Sequence, residues 1–420
     1  MAQRQHSEEP IVITGIGAIT PIGSGANGLW EGALSGVSAV DTITRFDPSP
    51  FSTHIGAEVR GFEPQQYLDA KQIRRLDLFS QYAVASATMA LIDAGLEPGS
   101  VPSHRIGVCL GTALGGIATA EREHSAYVNG GVRAVSPLLA LSVFNGAGAC
   151  NVSIEFGFTG PATANGDSCA ASPIALGNAL HYLRRGEADV MIAGGAEAPL
   201  SELAFGAFSL IRAMSTRNDD PKTASRPFSA DRDGFVMADG ASLLVLETRR
   251  HAEKRGAKIY AELAGYALTN DGHHMTAPRA DTECATRVMQ LALEYAGISG
   301  DELAAISAHG SSTSLNDGTE TRAIKNALGE DVARRIPIFA TKGAHGHALG
   351  ATGGFEAALC CLAMKNGVLP PSCNVLTPDP ECDLDYTKEG ARPFTRGPIL
   401  SNSFGFGGIN ACLIFKPYEG

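Results

Sequence analysis

The sequence predicts a layered α/β protein with mostly parallel sheets. Three observations carry this reading. Short β-branched or apolar runs recur and end in glycine-rich turns, and segments with helical spacing lie between many of them. Across 420 residues, 44% apolar content against 18% charge supplies enough core for about two domains. The 49 glycines fall singly or in short clusters after apolar runs, so they punctuate a compact fold and do not form a low-complexity tract.

Taken in order, "IVITGIG" (11–17) opens the chain as a strand, and "DLFSQYAVASATMALIDAG" (77–95) has helical spacing and ends on glycine. "IGVCLGT" (106–112) is the next strand. From Ala171, Ile174, Leu176, Leu180 and Leu183 roughly follow one helical face, and Arg184, Arg185 and Gly186 mark its end. Pro173 has no N–H and is tolerated only in a first turn, so this helix begins close to Cys169. Strands follow at "ADVMIAGGAE" (188–197) and "ASLLVLE" (241–247). A break near 255–260, before "IYAELAGYAL", divides the chain into residues 1–257 and 258–420, two halves of one body. Their identity is too faint to establish a repeat. The second half reads as helix at "ATRVMQLALEYAG" (285–297), strands at "AAISAHG" (304–310) and "IPIFATKG" (336–343), helix at "FEAALCCLAMKNG" (355–367) and strand at "GPILSNSFGFGG" (397–408). Such continuous apolar runs indicate strands buried on both faces.

The net charge of −11 argues against broad nucleic-acid binding, which needs a basic surface. "MAQRQHSEEP" (1–10) has no apolar core behind its charges, and no stretch of about 18 apolar residues follows. The expectation is a soluble, cytoplasmic protein. The nine cysteines are odd in number and lack CxxC spacing, which suits reduced thiols, most of them small buried hydrophobes.

Four loops could carry chemistry. Cys169 sits at the positive end of its helix, where a thiolate is favoured and the thiol pKa should fall, although the residue also suits a core. His309, in "AHGSSTSLNDGTE" (308–320), follows a strand-like run directly, at the kind of strand end where open α/β sheets bind ligands, although a lone histidine there is more often structural than catalytic. "ATKGAHGHALGATGGFE" (340–356) offers Lys342, His345, His347 and Glu356. Its HGH spacing invites zinc, but no HExxH or paired-cysteine companion supports a metal. "SNSFGFGGIN" (401–410) is either a turn or a place where backbone N–H groups approach a ligand. Cysteine, two histidines and lysine together form a set for acyl transfer.

These motifs resemble the β-ketoacyl-acyl-carrier-protein synthases of the condensing-enzyme, thiolase-fold family. The likeness runs from "VITGIGAITPIG" through "ADVMIAGGAE", "STRNDDPKTASRPFSADRDGFVMADGA" and "LPPSCNVLTPDPECDLDY" to "SNSFGFGG". It implies a thiolase-like fold layered α-β-α-β-α from two similar halves. It also implies Cys169 as the acyl-carrying nucleophile, His309 and His347 as the pair assisting malonyl decarboxylation, and Lys342 with Glu356 as their supporting network. Ser311 and Thr313 fall where hydroxyls hold the phosphopantetheine arm, Phe406 on the gatekeeping phenylalanine, and Leu114 and Phe208 on the acyl pocket. By the same resemblance the backbone amides of Cys169 and Phe406 form an oxyanion hole. No metal or redox cofactor is implied, since substrates ride on an acyl carrier protein.

The chain also departs from the family. Asp167-Ser168 stands where a threonine-alanine pair is common, and Gly343-Ala344-His345 replaces residues of "KSMTGH". A carboxylate facing the sulfur would raise its pKa, so Asp167 is expected to turn away and cap the helix. Lys71, Arg74 and Arg75 in "KQIRR" (71–75) are either a solvated helix face or a dock for an acidic carrier protein. The resemblance implies an elongating ketosynthase and a dimer, either homodimeric or paired with a chain-length subunit. "IRAMSTRNDDPKTASRPF" and "DPECDLDY" favour a type II polyketide or polyene pathway, with primary fatty-acid elongation as the alternative. A non-catalytic chain-length subunit fits poorly, because Cys169, His309, Lys342 and His347 are all present.

Overall fold

The computed structural model describes residues 9–419; residues 1–8, read above as carrying no export signal, lie outside the described residues. The first half builds five main strands: β1 (Ile11–Thr20), β2 (Ile106–Gly111), β3 (Ala162–Asn165), β4 (Val190–Glu197) and β5 (Gly240–Thr248). The second builds β6 (Ala261–Asn270), β7 (Ala305–Ser307), β8 (Ile338–Phe339), β9 (Ile399–Gly405) and β10 (Ile409–Lys416). The orders are β3-β2-β4-β5-β1 and β8-β7-β9-β10-β6. β2 is parallel to β3 and β4, as β7 is to β8 and β9. β5 runs antiparallel to β4 and β1, as β10 does to β9 and β6. The repeat that sequence identity left unestablished is therefore plain in the topology. Two residue pairs, Val12 with Glu262 and Ile13 with Ala261, join the sheets edge to edge.

The expectation of mostly parallel sheets is corrected to mixed ones. An unbroken apolar run reports burial on both faces and carries no information on strand direction. Helices cover both faces here whichever way a strand points. α1 (Leu78–Ala94) and α2 (Ala147–Phe156) lie outside the first sheet, α3 (Ala171–Arg184) and α6 (Thr352–Asn366) between the sheets, and α4 (Glu283–Ala296) and α5 (Asn316–Leu328) outside the second. Side chains alternate accordingly. Val108 and Leu110 of β2 face α1 while Cys109 faces the central layer; Leu413 and Phe415 of β10 face the central layer while Ile414 faces α4.

Local chemistry sets the ends. The Asp77 carboxylate accepts from the Phe79 N–H at 3.0 Å to start α1, and left-handed Gly95 ends it. Gly17 of β1 lets α1 lie directly on the strand, since a Cβ there would fall 1.9 Å from the Ser86 carbonyl oxygen. β7 and β8 have only three and two residues, shorter than the runs 304–310 and 336–343, because the chain leaves the sheet early to form the loops that carry His309 and Lys342. No helix among the described residues is long and apolar enough to cross a membrane.

Candidate active site

The site forms at the carboxyl ends of β3, β7, β8 and β9, where two layers of helices and the two sheets meet. After β3 the chain makes a 3₁₀ turn, Ser168–Ala170, and enters α3 with Pro173 in its first turn, so the helix does begin beside Cys169. After β9 the chain turns back at Gly405–Phe406. A Cβ on Gly405 would sit 3.2 Å from the Cys169 amide nitrogen, a tight approach that glycine leaves open, so this loop lies close to the Cys169 backbone. The Phe406 N–H faces the Cys169 sulfur and favours its thiolate. Two backbone donors thus converge beside the thiol, the arrangement that can hold an oxyanion.

Cys169, His309, His347, Ser311, Thr313 and Phe406 line one cavity of about 180 Å³. The His309 and His347 rings meet edge to face with centroids 5.5 Å apart, and Phe404 and Phe235 pack against them. Thr352 Oγ1 lies 3.0 Å from His347 Nδ1 and holds that ring from the start of α6. His309 Nδ1 is buried with no hydrogen-bond partner. Ser311 and Thr313 share a 2.9 Å hydroxyl contact at the cavity wall. Phe406 stacks on Phe208 at 6.5 Å, and Phe208 and Leu114 pack into the apolar cluster that contains Cys169.

Lys342 and Glu356 are buried behind this wall. The Lys342 ammonium donates to the Glu356 carboxylate and to the His309 carbonyl oxygen. Burial lifts the Glu356 carboxyl to about 7 against the pull of Lys342. Burial, then the Lys342 charge, then the neighbouring ring hold His309 well below its usual range; burial, Lys342 and His345 do the same for His347. Both imidazoles are therefore neutral hydrogen-bonding groups at neutral pH.

Two sequence expectations fail here. The Cys169 thiol is pushed up, not down, because burial outweighs the Ser168 hydroxyl, the Lys342 charge and the Phe406 N–H, with Glu197 adding to the rise. The Asp167 charge acts on Tyr266. Asp167 does not cap the helix: the 3₁₀ turn has no side-chain cap. The HGH pair also splits. His345 packs edge-on against Phe355 and contacts Thr341 Oγ1 at 2.9 Å, while His347 faces the cavity, so the two rings do not converge on one point. Among the described residues no group of three His, Cys, Asp or Glu side chains could hold a metal ion. All nine cysteines are free; Cys150 is exposed and Cys284 half-buried, and the rest are core residues as expected.

Three carboxylate and amide groups were missed in the sequence. Fully buried Glu197, at the end of β4, accepts from Thr112 Oγ1 and the Leu114 N–H on one side and the Gly350 N–H on the other, each at 3.1 Å. It ties the loop at Leu114 to the turn after His347. Glu320 accepts from the His309 and Gly310 N–H groups at 2.8 Å, and Asn402 donates to it at 3.1 Å. The only sequence signal was an acid closing a buried strand in "AGGAE" or following a histidine loop in "NDGTE". Lys71, Arg74 and Arg75 lie elsewhere, exposed on the short helix Ala70–Arg75.

A buried thiol beside two neutral imidazoles and two convergent amides is equipped for acyl transfer through a stabilised oxyanion. The family described as "Beta-ketoacyl synthase, N-terminal domain" matches residues 8–252, and "Beta-ketoacyl synthase, C-terminal domain" matches residues 260–376. The chain belongs to the beta-ketoacyl synthase family and is a condensing acyltransferase of the elongating kind. It is 44% identical to the 3-oxoacyl-[acyl-carrier-protein] synthase 2 of Staphylococcus aureus (strain COL), over 97% of this chain and 98% of that one. Solved structures similar to it include the ishigamide ketosynthase/chain length factor, at TM-score 0.92 and 34% identity over 98% of this chain and 100% of that one. A type II polyketide acyl-carrier protein in complex with its ketosynthase bound to the hexaketide gives TM-score 0.89 and 35% identity over the same shares.

Proposed function

We propose that the chain elongates carrier-bound acyl groups in a type II polyketide or polyene system, with Cys169 as the acyl-carrying nucleophile. The observation that carries this is the Phe406 N–H on the Cys169 sulfur, with the Cys169 amide beside it, in the cavity that also holds His309 and His347. In the first half-reaction Cys169 attacks the acyl thioester of the carrier, the two amides hold the oxyanion, and the carrier thiol leaves. In the second, malonyl carrier loses CO₂ beside His309 and His347, which donate to the enolate oxygen. The resulting carbanion attacks the acyl carbon, and Cys169 departs as thiolate. Lys342 and Glu356 hold the His309 loop, Ser311 and Thr313 bind the pantetheine arm, and Phe406 gates the acyl pocket at Leu114 and Phe208.

Two exposed arginines and a lysine on an acidic chain support Lys71, Arg74 and Arg75 as the carrier dock. Type II polyketide ketosynthases among the similar structures support the pathway reading and a dimer, homodimeric or with a chain-length subunit. The higher identity to a 3-oxoacyl synthase 2 favours primary fatty-acid elongation as the second reading. The changeover between the matched family segments supports the division into halves 1–257 and 258–420.

The test is incubation with a panel of acyl carrier thioesters, followed by intact mass and peptide mapping. An adduct on Cys169 that vanishes in Cys169→Ala is expected. An adduct that survives the substitution, or none with any acyl chain, overturns the reading. Co-purification with a second subunit lacking the cysteine separates the polyketide arrangement from the fatty-acid one.

A further inference from the structure

The turn that presents the nucleophile carries a second functional group. Ser168 Oγ lies 3.7 Å from Cys169 Sγ with the hydroxyl as donor. Ser168 is held at φ 52°, a left-handed conformation that non-glycine residues adopt at a cost and that here aims its side chain along the turn toward the sulfur. The slot is closed from above: a Cβ on Gly405 would lie 3.4 Å from Ser168 Cβ. Cys169 is 7% exposed, so little water reaches the sulfur to solvate a thiolate, and each protein donor counts for more than it would at a surface.

We infer that Ser168 is a thiolate-stabilising donor of this enzyme, its hydroxyl completing with the Phe406 N–H a two-donor cradle for Cys169 Sγ. The hydroxyl is also the largest favourable influence on the thiolate against burial. The other charged or titratable groups acting on the sulfur are Lys342 and Glu197, and those lining its cavity are His309, His347, Arg212, Asp271 and His274. Both half-reactions pass through this thiolate. It attacks the incoming acyl carbon, and it leaves with its electron pair when the carbon–carbon bond forms and the carbon–sulfur bond breaks. In the acyl-enzyme between them the sulfur is a poor acceptor and the hydroxyl is released.

The inference rests on Cys169 as the acyl-carrying thiol, but its test does not depend on turnover. Iodoacetamide alkylation of Cys169 in the full-length protein is followed by peptide mass mapping from about pH 5.5 to 9.5. Wild type is compared with Ser168→Ala and Ser168→Gly. Both variants lose the donor, while glycine suits the positive φ and folds even where alanine strains the turn. The expected result is an upward move of the alkylation midpoint by about one pH unit in both variants. The rate at pH 7 falls about tenfold, and the high-pH plateau is unchanged. An unmoved midpoint overturns the inference. So does a lowered plateau at constant midpoint, which signals altered access, or a shift in alanine that glycine lacks, which signals backbone strain. Absence of any acyl adduct on Cys169 overturns the proposed function instead, so the two failures are distinguishable.

Discussion

At Cys169, His309 and His347, desolvation sets the protonation states and hydrogen bonds then adjust them. Burial keeps the Cys169 thiol protonated in the resting protein and keeps His309 and His347 neutral. A neutral ring still carries one N–H that can be donated to an enolate oxygen. An ordinary histidine charges as pH falls through about 6.5; these two are depressed below that value, so they stay neutral through it. Malonyl decarboxylation, read as CO₂ release from malonyl carrier, is therefore expected to be flat between about pH 6 and 8, and an acid limb centred near 6.5 would contradict the assignment. His309→Ala and His347→Ala should each lower that rate by about 10²- to 10³-fold, as loss of one oxyanion donor does. Cys169 was legible in the sequence because Pro173 places a helix start beside it, and His309 because it follows a strand-like run directly; His347 stood out only through its HGH spacing and the resemblance. The sign of the thiol shift was not, since it depends on what covers the sulfur.

At the level of elements, the recurring glycines mark contacts as well as turns. Gly17 lies against α1 with no room for a methyl group, because the obstructing atoms are the Ser86 carbonyl and the Ala90 backbone. Gly17→Ala is expected to cost about 1–3 kcal/mol through overpacking and to lower the thermal midpoint, with the alkylation profile of Cys169 retained. A melting curve superimposable on wild type would refute the contact. Eight of the ten strands were readable from their apolar runs, while β3 and β10 were not assigned, and α1, α4 and α6 were readable from their periodicity and terminal glycines. Strand direction was not readable, because a buried strand has the same composition either way. The start of α3 was also legible, through Pro173. Its missing cap was not: Asp167 has the right identity for a cap but is carried away from the first N–H groups by the 3₁₀ turn.

Over the whole molecule, the two sheets divide the labour. The first half presents Cys169 and the second presents His309, Lys342, His347 and Phe406, while Glu197 spans the join by bonding Leu114 and Gly350. The surface carries the second global feature, a basic helix on a chain of net charge −11. Reversing Lys71, Arg74 and Arg75 to glutamate should raise KM for carrier substrates severalfold at low ionic strength, and the gap should close as salt screens it. Identical carrier kinetics across salt concentrations would remove this helix from the docking surface.

The amino-acid order alone determined most of the strands and the helices α1, α3, α4 and α6, where the helix after Cys169 starts, and which loops carry Cys169, His309, Lys342 and His347. These depend on periodicity, proline and glycine geometry and turn chemistry, all of which act over a few residues. Tertiary structure decided strand direction, the upward shift of the Cys169 thiol, the split of His345 from His347, and the roles of Glu197, Glu320 and Ser168. Each of these depends on which groups from distant parts of the chain exclude water from a site and which supply its hydrogen bonds.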